Sequence, residues 1–205
     1  GESQDQAEAE GFLSNAFLIA LGIIAFILVT QFNSVIKPAI ILTSVLMSTV
    51  GVLLGLMVFQ MPFGVIMTGV GIISLGGIVV NNAIILIDYI DTLRERDGLS
   101  RDEALVHGGR TRLRPVILTA ITTALGLVPL AIGLNFDFFG LYSSLQPDLF
   151  WGGEQAAWWA PMAIAVIAGI LFATFLTLVL VPVMYSLTDD MGRWFSRLFR
   201  DDVTT

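Results

Sequence analysis

Apolar positions along the chain form five long runs separated by short polar segments. The runs cover residues 12–30, 38–58, 63–90, 115–134 and 158–187, and the shortest has 19 residues. A helix of that length rises about 28 Å, close to the thickness of about 30 Å of a bilayer's hydrocarbon core. The pattern therefore predicts an all-α fold, a polytopic membrane bundle of five transmembrane helices.

Composition agrees with a membrane protein. Of the 205 residues 56% are hydrophobic and 13% charged, whereas a soluble domain has about 25% charged residues. The chain has no cysteine, which excludes disulfides and thiolate chemistry. The net charge is −7 and no basic patch is present, so nucleic acid is not an expected partner.

Basic residues indicate the topology, because loops rich in lysine and arginine stay in the cytoplasm. They occur in three segments only: Lys37; Arg94, Arg96, Arg101, Arg110, Arg112 and Arg114; Arg193, Arg197 and Arg200. The N-terminus is thus predicted outside and the C-terminus in the cytoplasm. We expect an outer stub at 1–11, a bundle at 12–187 with a cytoplasmic linker at 91–114, and a cytoplasmic tail at 188–205. A lipid-headgroup site is the alternative role for the arginine cluster.

Two connecting segments carry recognisable patterns. The outer loop 135–157 and the start of the fifth run are aromatic, with Phe136, Phe138, Phe139, Tyr142, Phe150, Trp151, Trp158 and Trp159. An interfacial aromatic belt is the expected role, and substrate stacking is the alternative. In the linker, Ser100 and Glu103 have capping-box spacing, which predicts a short amphipathic helix through about Val106.

Small residues at a spacing of four indicate close helix packing. Gly51 and Gly55 have this spacing in the second run, and Ala165, Gly169 and Ala173 have it in the fifth. Such residues let helix backbones approach each other, which predicts a compact bundle and no particular activity.

The third run contains two adjacent amides, Asn81 and Asn82. An amide without a partner in hydrocarbon costs several kcal/mol, so these side chains are expected to face polar groups. A transport pathway and simple hydrogen bonding between helices are both open readings. Ser74, Asn81 and Asp88 are seven residues apart and share one face, whereas Asn82 lies about 100° further round.

The fourth run has hydroxyls on one face, at Thr119, Thr122 and Thr123, and Arg112 precedes them. Counted along antiparallel helices, Asn81 lies about 14 Å and Thr122 about 10 Å from the cytoplasmic ends. Similar depth favours one shared polar site. The alternatives are that the threonines bond to their own helix carbonyls and that Asp88 is solvated.

These residues resemble a known family. The third and fourth runs resemble the tenth and eleventh helices of resistance–nodulation–division (RND) efflux pumps. The segments that carry the resemblance are the stretch from Gly77 to Ile84, Asp88-Tyr89, Arg110-Thr111-Arg112-Leu113-Arg114-Pro115, Thr119 and Gly126-Leu127-Val128-Pro129-Leu130. Residues 31–34 and 37–38 resemble the join of that family's eighth and ninth helices.

The resemblance implies the C-terminal membrane portion, helices eight to twelve of twelve, of an inner-membrane multidrug antiporter. The hydrophobe/amphiphile branch is the expected one. It implies protons as the coupling ion with no other cofactor, and as partners the remaining N-terminal half, two further copies in a homotrimer, a periplasmic adaptor, an outer-membrane channel and membrane lipid.

The resemblance also implies roles for particular residues. Asn81 stands where the best-known drug exporters have a lysine, and Asn82 matches an asparagine of the motif. Arg112 matches the arginine at the cytoplasmic mouth, and Thr119 matches a hydroxyl one turn into the membrane. Since an amide can only reorient hydrogen bonds, the absent lysine leaves the coupling mechanism open.

No acidic residue lies deep in any run, yet proton coupling needs an ionisable group. The chain is therefore expected to place Asn81, Asn82, Thr119, Arg112, Thr122 and Asp88 opposite acidic residues of another helix. The alternative is a non-transporting scaffold or small subunit of another transporter. A membrane enzyme has no support, because no histidine, cysteine or nucleophile–base pair lies within the runs.

Overall fold

The computed structural model describes residues 2–136, 142 and 149–201 of the chain. Its long helices are α1 (Glu2–Phe32), α2 (Ile36–Val58), α3 (Val65–Glu95), α4 (Arg101–Ala131) and α5 (Glu154–Asp201), with β1 (Leu134–Phe136) and β2 (Leu149–Trp151) between the last two. Within the described residues, five helices are long and apolar enough to cross a membrane. The predicted all-α bundle of five transmembrane helices is confirmed.

Close packing of α5 against α2 and α3 forms the core. A Cβ atom added at Gly55 would lie 2.1 Å from the Cβ of Ala168, and one at Gly169 would lie 2.3 Å from Leu75. Ala165 and Ala173 are buried in the same contact. Small residues spaced four positions apart therefore lie at helix contacts, as the sequence predicted.

Helix α4 differs from expectation in length. Its capping box is present, since the Ser100 hydroxyl accepts a bond from the Glu103 N–H and the Glu103 carboxylate accepts one from the Ser100 N–H. The helix does not end near Val106 but continues through Pro115 to Ala131. The physical reason is that arginine favours helix, and one proline removes only one backbone donor.

The connection between α4 and α5 contains a small hairpin that the sequence did not predict. β1 pairs antiparallel with β2, with Leu134 opposite Trp151. Gly133 and Gly152 flank the pair with positive φ values of 69° and 87°, a conformation that glycine adopts without strain. Tyr142 is 94% exposed, whereas Phe138 and Phe139 lie outside the described residues.

The helices differ in how much of their apolar surface the bundle covers. Half of the most apolar stretch is buried in α2, α3 and α5, but only 6% of it in α1 and 17% in α4. Exposed apolar side chains on α1 and α4 thus remain available to lipid or to further helices.

Candidate functional site

The polar stripe on α3 faces outward from the bundle. Ser74, Asn81 and Asp88 are all exposed, and a Cβ atom at Gly77 would meet nothing within 4 Å. Asn82 points the other way and is only 6% exposed. The two adjacent amides therefore have different surroundings, as their 100° separation predicted.

Hydroxyl groups on α4 are satisfied within their own helix. Thr119 donates to the Val116 carbonyl at 2.9 Å, and Thr122 donates to the Leu118 carbonyl at 2.8 Å and to the Thr119 carbonyl at 3.1 Å. Both side chains are exposed. Both threonines thus donate to carbonyls of their own helix, one of the alternatives left open by the sequence. Their hydroxyl oxygens can still accept a hydrogen bond from a partner.

The C-terminal half of α3 and the N-terminal half of α4 meet at Arg112. Its guanidinium lies 4.5 Å from the centre of the Tyr89 ring, next to Asp88 along the chain. The Arg112 Nε is buried and has no hydrogen-bond partner among the described residues. The geometry is that of a cation–π contact, and it leaves an N–H donor for a further acceptor.

This contact sets the relative depth of the two polar stripes. From Tyr89 to Asn81 the helix rises about 12 Å, and from Arg112 to Thr119 it rises about 10 Å. Asn81 and Thr119 therefore lie at nearly the same distance from the contact. Arg112 contacts Tyr89, which follows Asp88 of the α3 stripe in the chain, while the hydroxyl bonds of Thr119 and Thr122 go to backbone carbonyls and not to an asparagine.

A second polar cluster lies where the N-terminal end of α2 meets the C-terminal part of α3 and Tyr185 of α5. Lys37 Nζ lies 2.6 Å from the Asp91 carboxylate, and the buried Tyr185 hydroxyl donates to the same carboxylate at 2.8 Å. Arg94 donates to the Tyr185 hydroxyl at 2.9 Å. These side chains line a polar cavity of about 680 Å³.

Sequence reasoning missed this cluster, which joins residues 54 and 94 positions apart. The available signal was the position of the charges. Lys37 directly precedes the second run, Asp91 and Arg94 follow the third, and the predicted topology puts all of them on one side of the membrane. Histidine, cysteine and acidic residues form no group of three with metal-site spacing in the described part of the chain.

Comparison with known proteins places the chain in a family. Residues 1–189 match the model of the AcrB/AcrD/AcrF family. The swarming motility protein SwrC of Bacillus subtilis is 37% identical over 90% of the chain and 16% of its own length. The cobalt-zinc-cadmium resistance protein CzcA of Cupriavidus metallidurans is 34% identical over 82% of the chain and 14% of its own length.

The multidrug resistance protein MdtC of Erwinia tasmaniensis is 30% identical over 86% of the chain and 15% of its own length. Among solved structures, a heavy metal efflux pump matches with a TM-score of 0.74 and 32% identity over 93% of the chain and 17% of the pump. The relatives named for metal resistance and for multidrug resistance have similar sequence identities to the chain, 34% and 30%. The hydrophobe/amphiphile branch therefore stays a prediction.

The chain spans about one-sixth of the length of these relatives. Its five apolar helices make it a multi-pass membrane protein. Residues 1–189 match the family model, and a solved efflux pump resembles the chain in both sequence and fold. The chain belongs to the AcrB/AcrD/AcrF family and is an RND efflux transporter sequence.

Proposed function

We propose that the chain forms the C-terminal membrane part of a proton-driven efflux pump of the inner membrane. In this proposal the α3 stripe and the α4 hydroxyls form the polar face of a proton relay, opposite acidic residues of a helix outside this chain. The observation that carries the proposal is the outward exposure of Asn81 in the middle of a membrane-length helix.

An exposed amide at that depth needs polar surroundings. In contact with lipid its unpaired donors and acceptor would cost several kcal/mol. A carboxyl group on a neighbouring helix would satisfy it in both protonation states, because an amide can donate to a carboxylate and accept from a carboxylic acid. Arg112, whose buried Nε has no hydrogen-bond partner among the described residues, would balance negative charge at the cytoplasmic end.

The proposed partners follow from the family. We infer a trimer of the full-length transporter that contacts a periplasmic adaptor and an outer-membrane channel. Sequence identity does not select a substrate class, because a relative named for metal resistance is 34% identical and one named for multidrug resistance is 30% identical.

The test is Asn81→Leu in the complete transporter, with Ile85→Leu as the matched control. Ile85 is also exposed on α3, one turn nearer the cytoplasm, but it has no polar group. We expect Asn81→Leu to abolish both efflux from cells and the substrate-driven release of protons from everted vesicles, whereas Ile85→Leu retains them. Expression and trimer assembly should be normal in both variants. Unchanged efflux in Asn81→Leu would contradict the relay and favour a scaffold role for this face.

A further inference from the structure

Negative charge is concentrated at the outer end of the bundle. This end comprises the start of α1, the α2–α3 loop and the α4–α5 connection, and it carries seven Asp and Glu residues with no Lys or Arg. The remaining ten acids are matched by ten basic residues at the opposite end. The outer end therefore attracts cations, irrespective of any particular site.

A small cavity at this end has an unusual lining. It has a volume of about 270 Å³ and is lined by Met67 of α3 and by Glu154, Trp158 and Trp159 of α5. Glu154 and Trp158 are four residues apart and so share one face of α5. Trp158 is 60% exposed and Trp159 39% exposed, so the cavity is accessible from outside.

The hairpin between α4 and α5 fixes the position of Glu154. The Gly152 N–H donates to the Gly133 carbonyl at 2.9 Å, and the Asn135 amide donates to the carbonyls of both glycines. Gly153 then turns with a φ of 115° and leads directly into Glu154, the first residue of α5. These contacts position the backbone of Glu154 at the cavity.

Trp159 lines two cavities. The second one, of about 260 Å³, is lined by Trp159 together with Asn135, Gly133 and Ala156. Trp159 is also 39% exposed, so its indole is not fully enclosed by the bundle. An interfacial belt explains exposed tryptophans but does not require a carboxylate and a thioether beside them.

We propose that Glu154, Trp158, Trp159 and Met67 bind the ammonium group of an organic cation at the outer membrane interface. Indole faces attract cations, the carboxylate supplies the opposite charge, and a thioether packs well against both. Among the described residues that line the cavity there is no Lys or Arg to compete for the carboxylate. The ligand is either the headgroup of a lipid such as phosphatidylethanolamine or a soluble amphiphilic ammonium ion.

The test is titration of the full-length protein, isolated in a maltoside detergent, with hexyltrimethylammonium while tryptophan fluorescence is recorded. We expect saturable quenching, weakened about fivefold or more by Glu154→Gln and by Trp158→Leu. Glu8→Gln, another acid of the outer end, and Trp151→Leu, an exposed tryptophan outside the cavity, are the matched controls and should change the affinity less than twofold. Helix content by circular dichroism confirms that each variant is folded.

Two further comparisons separate the sources of the ligand. If a lipid fills the site, nanodiscs of phosphatidylethanolamine should block the quenching that phosphatidylglycerol nanodiscs allow, and Glu154→Gln should lose co-purifying phosphatidylethanolamine. If a soluble cation fills it, lipid composition should have no effect. Either result supports ammonium binding. Absence of saturable binding in every medium, or equal affinity for the uncharged 3,3-dimethylbutyl analogue, would overturn it.

Discussion

At the end of the bundle that holds the α3–α4 connection, single residues link helices that are far apart in sequence. The Tyr185 hydroxyl accepts a hydrogen bond from Arg94 and donates one to Asp91, so one oxygen links α5 to two charged groups of α3. Asp91 in turn pairs with Lys37 of α2. Since Tyr185 is only 6% exposed, water replaces these bonds poorly when they are lost.

Tyr185→Phe should lower the free energy of unfolding by about 1–2 kcal/mol, because it removes both hydrogen bonds and leaves the ring in place. Thermal unfolding in detergent, followed by far-ultraviolet circular dichroism, measures the change. Tyr142→Phe is the matched control, since Tyr142 is 94% exposed. Equal stability of the two variants would show that the cluster is not a stabilising contact.

The directions of individual side chains were partly predictable. Helix geometry alone placed Asn81 and Asn82 on different faces, and the structure agrees. It could not show that Asn82 is the buried one, because that depends on which helix packs beside it. The link between Tyr185 and Asp91 was also out of reach, since no local pattern connects residues 94 positions apart.

At the scale of helices, the contact between α2 and α5 depends on glycine, which has no side chain to hold the backbones apart. Gly55→Ala should destabilise the protein by about 1–3 kcal/mol, because its new methyl group would lie 2.1 Å from the Ala168 Cβ atom and the two backbones would have to separate. Unfolding in detergent is the measurement.

Gly22→Ala is the control for helix propensity, because nothing lies within 4 Å of a Cβ atom there. Alanine in an open helical position should be neutral or stabilising by up to about 1 kcal/mol. If Gly55→Ala behaves like Gly22→Ala, α2 and α5 are not in close contact.

The start of α4 rests on its capping box. Ser100→Ala should cost about 1 kcal/mol of stability, whereas Ser100→Asp should retain most of it, because an aspartate also accepts from the first-turn N–H groups. Hydrogen exchange at residues 101–104 reports the fraying of this turn directly. Equal exchange in the alanine and aspartate variants would mean that the cap does not hold the helix end.

Helix ends were harder to predict than helix cores. The five apolar runs found the helices, because burial in a membrane requires them. The runs could not show that α4 begins at Arg101, since those turns lie outside the apolar stretch that defined it. The hairpin of β1 and β2 was missed because it rests on two glycine conformations and a single asparagine side chain.

At the scale of the whole molecule, the apolar surface is buried to different degrees in different helices. Burial is concentrated where α5 meets α2 and α3, whereas α1 and α4 leave most of their apolar surface uncovered. The exposed polar stripe of α3 also faces away from this core. Lipid can cover the apolar surface of α1 and α4, but the polar stripe needs polar neighbours, so this face of α3 is suited to further helices.

Orientation in the membrane follows from charge and is directly testable. Residues 1–205 contain no native cysteine, so a cysteine introduced among them is the only thiol in this part of the protein. The ten basic residues lie at the end that holds the α3–α4 connection, and this end should face the cytoplasm. Tyr142→Cys should therefore react with a membrane-impermeant maleimide in intact spheroplasts, and His107→Cys only after permeabilisation. Both side chains are exposed, so access is limited by the membrane and not by burial. The reverse labelling pattern would invert the bundle, and it would move the acidic end, with Glu154 and its two tryptophans, to the cytoplasmic side.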